Sequence, residues 1–271
     1  VQSLAKAFGR SANTGRPLPE VYKAFTYNKI LFRLSATSML AGAPGAFKSA
    51  LALNLLTRWA QQGVYGLYFS ADADEFTTAK RTAAILTRRT VEVVEAGMRS
   101  SSAPFYRNAL TAMDHTRWVY KAADIDDLDR HMRGFESVYG SFPNVVFIDN
   151  LLNMSEVGED WTAAREFIRN LDILARDAEC HVCVLHHTSE SNYEQGFPPP
   201  RSAILGKISQ FPRLILTVGV NMDTLNVACV KNTNGPQDPS GRSFFPMVVD
   251  AERMTITDSG FFTQEVFANA R

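Results

Sequence analysis

Gly42-Ala-Pro-Gly-Ala-Phe-Lys48-Ser49 stands between the short apolar run Ser38–Ala41 and the segment Ser49–Gln62, where Leu51, Leu55 and Trp59 recur at helical spacing and Gly63 ends the pattern. A glycine-rich turn between a strand and a helix aims backbone N–H groups and a helix N-terminus at one point, which suits an anion. Lys48 is spaced to reach β- and γ-phosphates, and the Ser49 hydroxyl to hold Mg²⁺. The expected phosphate cradle is Gly42, Ala43, Pro44, Gly45, Ala46, Phe47, Lys48 and Ser49. Phe47 departs from the usual pattern, which has glycine before the lysine so that the backbone can approach phosphate closely. It must adopt a compatible backbone conformation, with Gly45 supplying part of the freedom. The same letters without flanking elements would be an ordinary glycine turn with a chance lysine, but here both flanks are present.

Strand, turn and helix recur outward from this stretch. Val64–Ser70 reads as a strand and Glu75–Leu86 as a helix. Residues 88–117 give the weakest pattern, locally arginine-rich with a loop expected at Ser100–Pro104. Arg117–Lys121 follows as a strand, Ile125–Tyr139 as an amphipathic helix, Val145–Asp149 as an apolar strand and Thr162–Ala178 as a helix. Val182–Leu185, Leu214–Val220 and Leu225–Val230 are further strands, and Ile256 sits in a last short one. Apolar strands alternating with helices predict an α/β fold, a mostly parallel twisted sheet with helices on both faces. Residues 1–37 are read as an arm and linker, the linker at Ser11–Pro19, with Leu4–Phe8 a possible start of a docking helix; 38–271 form the domain.

Composition narrows the classes of function. The 271 residues carry 28 Lys+Arg against 28 Asp+Glu, so bulk electrostatics cannot hold nucleic acid, and a nucleic-acid site must be a local patch. Arginine outnumbers lysine, which favours bidentate phosphate contacts but follows equally from a GC-rich genome. The longest apolar runs, such as Val145–Ile148 and Leu214–Val220, are too short to span a bilayer, and no signal peptide opens the chain. The first residue is not Met, which leaves room for an upstream segment. Three cysteines make no disulfide framework, so a reducing, cytoplasmic setting is expected.

In an open α/β sheet ligands bind at the carboxyl ends of strands. Asp149 closes the strand VVFID and is placed to hold the water shell of Mg²⁺. Asp72 follows the strand VYGLYFS and suits activation of a water that attacks the γ-phosphate, while Asp74, ahead of Thr77 and Thr78, suits an N-cap. Glu75 is the alternative base. His186 and His187 end Val182–Leu185, and alternation puts them on opposite faces, so one is expected to face the site. Cys180 and Cys183 look like a metal motif, but on a strand their sulfurs diverge, and buried thiols are the better reading.

The ordered set GAPGAFKS, YFSADADE, VVFIDN, VCVLHHTSE and VKNTNGP resembles the RecA-like motor domain of DnaB-type replicative helicases and the RecA/RadA recombinases, over about Ser38 to Asp250. The resemblance implies ATP and Mg²⁺ as ligands, with Lys48, Asp72, Asp149 and His187 in the chemistry and Ser49 and Asp149 on the metal. His187 stands where the family has a phosphate-sensing glutamine, similar to some plasmid and phage relatives. The resemblance makes Asn150–Asp160 and Ser189–Gly206 the two DNA-binding loops. Lys231 matches a lysine that reaches a neighbouring subunit's nucleotide, but the arginine expected two residues later is Thr233, leaving Arg242 or Arg213 as substitutes. A homo-oligomer, a hexameric ring or a filament, is implied. The family's N-terminal primase-interacting domain has no counterpart in this sequence.

Thr188–Lys207 carries Tyr193, Phe197, Arg201 and Lys207, and aromatic plus basic residues on one loop suit single-stranded DNA. The leading expectation is therefore an ATP-dependent motor on single-stranded DNA, with a DnaB-like helicase favoured and a RecA/RadA-like recombinase as the alternative. Two other classes remain. Phe47, Asp72 and Thr233 all suit a nucleotide-binding regulator or loader with weak hydrolysis. Asp72, Asp74, Asp149 and the two histidines would suit a metal-dependent nuclease if they clustered.

Overall fold

The computed structural model describes residues 15–158, 160–189, 194 and 196–260. Its strands are β1 (Ala36–Gly42), β2 (Gly66–Ser70), β3 (Thr116–Val119), β4 (Val145–Asp149), β5 (His181–His187), β6 (Leu214–Asn221), β7 (Thr224–Asn232), β8 (Phe244–Asp250) and β9 (Thr255–Asp258). They form one sheet in the order β3-β2-β4-β5-β1-β6-β7-β8-β9. The six strands from β3 to β6 run parallel, and β7, β8 and β9 extend the sheet antiparallel. All seven residues of β1 are buried, as expected of a parallel strand covered on both faces.

Alternation along the strands sorts the core into two layers. On one face Leu40, Tyr68, Phe147, Cys183 and Leu185 meet α2 (Lys48–Ala60) through Leu51, Leu55 and Trp59. On the other, Met39, Phe69, Ile148, Cys180 and Val184 meet α6 (Ile125–Tyr139) and α7 (Trp161–Asp177) through Leu128, Phe167 and Leu171. Each fully buried large side chain of this kind contributes about 1.5–3 kcal/mol. Cys180 and Cys183 thus lie in opposite layers, and burial raises both thiols to about 12.

Residues 15–37, which the sequence analysis set apart together with 1–14, pack in the first of these layers. Tyr22, Phe25, Ile30 and Phe32 are buried there around the short helix α1 (Lys23–Tyr27), and Tyr22 donates to the Ile256 carbonyl at 3.1 Å. Leu4–Phe8 falls outside the described residues. The arginine-rich stretch is helical: after α3 (Glu75–Thr87) come α4 (Val91–Met98) and α5 (Ala103–Leu110), around a small core of Ala83, Val94 and Tyr106. The loop expected at Ser100–Pro104 ends sooner, because Pro104 lies in the first turn of α5, where a missing N–H costs no helical bond.

Candidate functional site

β1 delivers Gly42 to the carboxyl edge of the sheet beside β6. A Cβ on Gly42 would lie 2.8 Å from the Val218 carbonyl oxygen, so glycine is required by the approach of that strand. The chain then turns through Ala43–Ala46, with Gly45 at φ +77°. Phe47, as its position demanded, takes the left-handed conformation at φ 58°, ψ 21° and caps α2 without a side-chain hydrogen bond. Its ring packs half-buried on the α2-side core, which helps hold an unfavourable backbone. Lys48 is buried and donates to the Gly42 and Ala43 carbonyls at 3.0 and 2.8 Å. Burial pushes its ammonium down to about 8, with Asp149 opposing.

Asp149 ends β4 beside this lysine. Its carboxylate accepts from the Tyr68 hydroxyl at 2.7 Å, and the Ser49 hydroxyl lies near enough to favour its charged form. Burial raises its pKa, against the pull of those two hydroxyls and of Lys48. Burial first, and then Asp149, raise the Tyr68 phenol well above its ordinary value, so it stays a donor. Ser49 and Asp149 present a hydroxyl and a carboxylate side by side, a hard oxygen pair that fits Mg²⁺. The described residues contain no cluster of three or more His, Cys, Asp or Glu able to hold a metal.

Asp72 and His187 meet at the ends of β2 and β5 through residues the sequence reading passed over. The Asn150 amide donates to Asp72 at 2.9 Å and lies 3.4 Å from His187 Nε2, and the Asn153 amide also donates to Asp72. Asn150 in turn accepts from the Leu152 N–H, which sets the short 3₁₀ turn Leu151–Asn153. His187 is lowered by burial and by Lys48, with Asp72 opposing. A polar residue directly after the strand-end carboxylate, repeated three positions later, was the available signal.

His186 points to the other face, its Nε2 3.2 Å from the Leu205 carbonyl and its ring edge-on to Trp161. Asp74 is the N-cap of α3, accepting from the Thr77 N–H at 2.8 Å. The five residues a nuclease would need are therefore not brought together.

The segment after β5 closes on itself, with Thr188 bridged to Ile204 and the Ser189 N–H donating to Ala203 at 2.8 Å. Tyr193 lies outside the described residues. Arg201 turns inward to Ser209, while Lys207 is exposed beside Gly206, which packs against Trp161. Lys231 donates to the Ser209 and Gln210 carbonyls at 3.0 and 2.6 Å, and burial lowers it to about 8. Pairing puts Lys231 opposite Ile215 and Ile215 opposite Met39, three residues or about 10 Å below Gly42 and two strands across. Thr233 donates to the Arg213 carbonyl at 2.7 Å, and Arg242 is exposed in the turn before β8.

The AAA domain family matches residues 18–192, more than half of the chain. The chain belongs to that family. Its fold is RecA-like. The Gene 65 protein of Mycobacterium phage L5 is 30% identical over 261 residues, covering 92% of this chain and 95% of the relative. The Gene 65 protein of Mycobacterium phage D29 is 29% identical over 232 residues, covering 81% and 98%. The fold is that of an ATPase domain solved on its own, with a TM-score of 0.78 at 14% identity over 94% of this chain and 95% of the other. A DnaB-like replicative helicase described with its primase interactions matches at a TM-score of 0.77 and 14% identity, over 94% of this chain and 66% of the helicase. No described helix is long and apolar enough to cross a membrane.

Proposed function

We propose that this AAA-domain protein hydrolyses ATP to drive movement on single-stranded DNA, in the manner of a DnaB-type helicase. One observation carries the reading: Lys48, Ser49 and Asp149 share a strand edge with Asp72 and His187, which Asn150 ties to the start of a loop expected to meet DNA. The nucleotide's phosphates lie over the turn Ala43–Lys48. Lys48, now held by two backbone carbonyls, turns to the phosphates, and the N–H groups at the start of α2 face the same anion. Ser49 and Asp149 would hold Mg²⁺, which would supply neutralisation of the phosphate charge. Asp72 orients the attacking water, and His187 donates to a γ-phosphate oxygen and registers its loss.

The segments after β4 and β5, 150–160 and 188–207, then carry the nucleotide state to DNA, with Lys207 and Tyr193 as contacts and Arg201 turning out from Ser209 to join them. Lys231 lies below its own loop and two strands away, a placement that suits a neighbour's nucleotide site, with Arg242 or Arg213 as the accompanying arginine. That arrangement calls for a head-to-tail homo-oligomer, a ring or a filament.

Steady-state ATP hydrolysis with Mg²⁺, with and without single-stranded DNA, tests the proposal on the native protein and Lys48→Ala. DNA-stimulated turnover abolished in Lys48→Ala supports it, and absence of turnover in the native protein overturns it. Unwinding of forked DNA against D-loop formation separates the helicase from the recombinase. The grip of Asn150 and Asn153 on Asp72 favours a second reading, a nucleotide-binding regulator or loader. Tight ATP binding with negligible turnover, with or without DNA, would select it.

A further inference from the structure

We propose that Tyr68 is a positioning residue for the magnesium site: its hydroxyl fixes the orientation of the Asp149 carboxylate while the nearby Ser49 hydroxyl is free to turn to the metal. This rests on the reading of Asp149 and Ser49 as the magnesium-holding pair. Tyr68 lies in the middle of β2 and is 2% exposed. Its ring is pinned between Phe147, at 5.6 Å between centroids and nearly parallel, and Trp118, at 5.0 Å. Phenylalanine would fill that space equally well, so packing does not account for the hydroxyl.

A buried phenol needs an acceptor, and the one it has is Asp149 Oδ2 at 2.7 Å. The register explains the reach. Tyr68 pairs with Phe147 and Ser70 with Asp149, so Tyr68 and Asp149 point to the same face, one step apart along the sheet. Two hydroxyls lie near Asp149, and they differ in kind. Ser49 sits at the start of α2 beside Lys48 and can rotate its hydroxyl to a cation. Tyr68 is locked by aromatic contacts and can only go on donating. One carboxylate oxygen is therefore held at all times, which leaves the other for the metal. Hydrogen bonds behind a metal's carboxylate set its orientation, and their loss weakens metal binding roughly 10–100-fold.

The test uses the full chain and a fluorescent ATP analogue, titrated in EDTA and then against Mg²⁺, for the native protein, Tyr68→Phe and Asp149→Ala. Tyr68→Phe is expected to bind the analogue in EDTA within about twofold of the native protein, which also shows that the loop is folded, and to need about tenfold or more Mg²⁺ for half of the metal-dependent gain. A Mg²⁺ midpoint within twofold of native overturns the proposal, as does an equal loss of affinity with and without the metal, which would mark Tyr68 as structural only. Asp149→Ala separates the two levels. If its Mg²⁺ midpoint shifts and that of Tyr68→Phe does not, only the role of Tyr68 fails. If neither shifts, or native binding ignores Mg²⁺, the assignment of Asp149 fails and the role of Tyr68 falls with it.

Discussion

Replacing Phe47 by glycine and by alanine separates the backbone of the loop from its side chain. Both changes delete the same half-buried ring, so its lost packing cancels in the comparison. What remains is the left-handed conformation, φ 58° and ψ 21°. That conformation costs a residue with a Cβ roughly 1–2 kcal/mol, and glycine gives back about 0.5–1 kcal/mol through its freer unfolded chain. Phe47→Gly should therefore be more stable than Phe47→Ala by about 0.5–1 kcal/mol, the reverse of the order of these residues inside a helix. Urea unfolding gives the difference directly, and in thermal unfolding of a chain this size it amounts to about 1–3 °C. Equal stability, or the alanine variant ahead, would refute the claim that the loop holds Phe47 in strain. A glycine variant that also binds ATP more tightly would locate the cost of that strain at the phosphates.

Lys48 gives a pH signature. Its folded pKa, about 8, lies below the ordinary 10.5, so between those values the unfolded chain binds more protons and stability rises with pH. The cost of burying the ammonium is present in full below about pH 8; Lys48→Met should remove it, and its stability advantage over the native protein should shrink from pH 8 to 10.5 in ligand-free unfolding. Gly42→Ala pushes a Cβ to 2.8 Å from a backbone oxygen and should cost roughly 1–3 kcal/mol in urea unfolding; a neutral result would mean that β6 yields there. Asn153→Ala frees one of the two amide contacts on Asp72, and should raise ATP turnover measured without DNA while lowering the stimulation that DNA adds. Unchanged DNA-free turnover would detach Asp72 from that control.

The sequence made some parts of this molecule plain and concealed others for identifiable reasons. Ile125–Tyr139 and Val145–Asp149 are legible with their observed ends, because the helix has one strong period stopped by Gly140 in the left-handed region and the strand is a continuous apolar run stopped by a carboxylate. β8 was missed although Phe245, Met247 and Val249 alternate inward, because Pro246 argues against a paired strand. Lys23–Tyr27 is too short to show a helical period, and α4 and α5 bury few residues, so their apolar faces are thin. At the site, the loop and the carboxylates at strand ends were legible since spacing alone declares them. Asn150, Asn153 and Tyr68 were not, since an amide after a strand or a tyrosine inside one gains its meaning from a partner 37 to 81 residues away.

Those distant partners follow from the topology. Parallel strands release every following segment at the same edge, so the turn after β1, Asp72 after β2, Asn150 after β4 and His187 at the end of β5 emerge within one row. The order β2-β4-β5-β1 sets the middle of that row: β4 carries Asp149 toward Lys48 and, one residue later, Asn150 between Asp72 and His187. The same two residues therefore face the nucleotide loop and begin the segment 150–160. On the proposed function, no long path is needed for ATP state to reach that segment. A shift of Asp72 or His187 by the length of one hydrogen bond must either carry Asn150 with it or break its contact. The segment after β5 begins one residue beyond His187 and is tied back at Ile204, so it shares the same pivot. A motor reading requires both segments to respond together, and substitution of Asn150 should uncouple them, leaving ATP turnover that no longer answers to DNA.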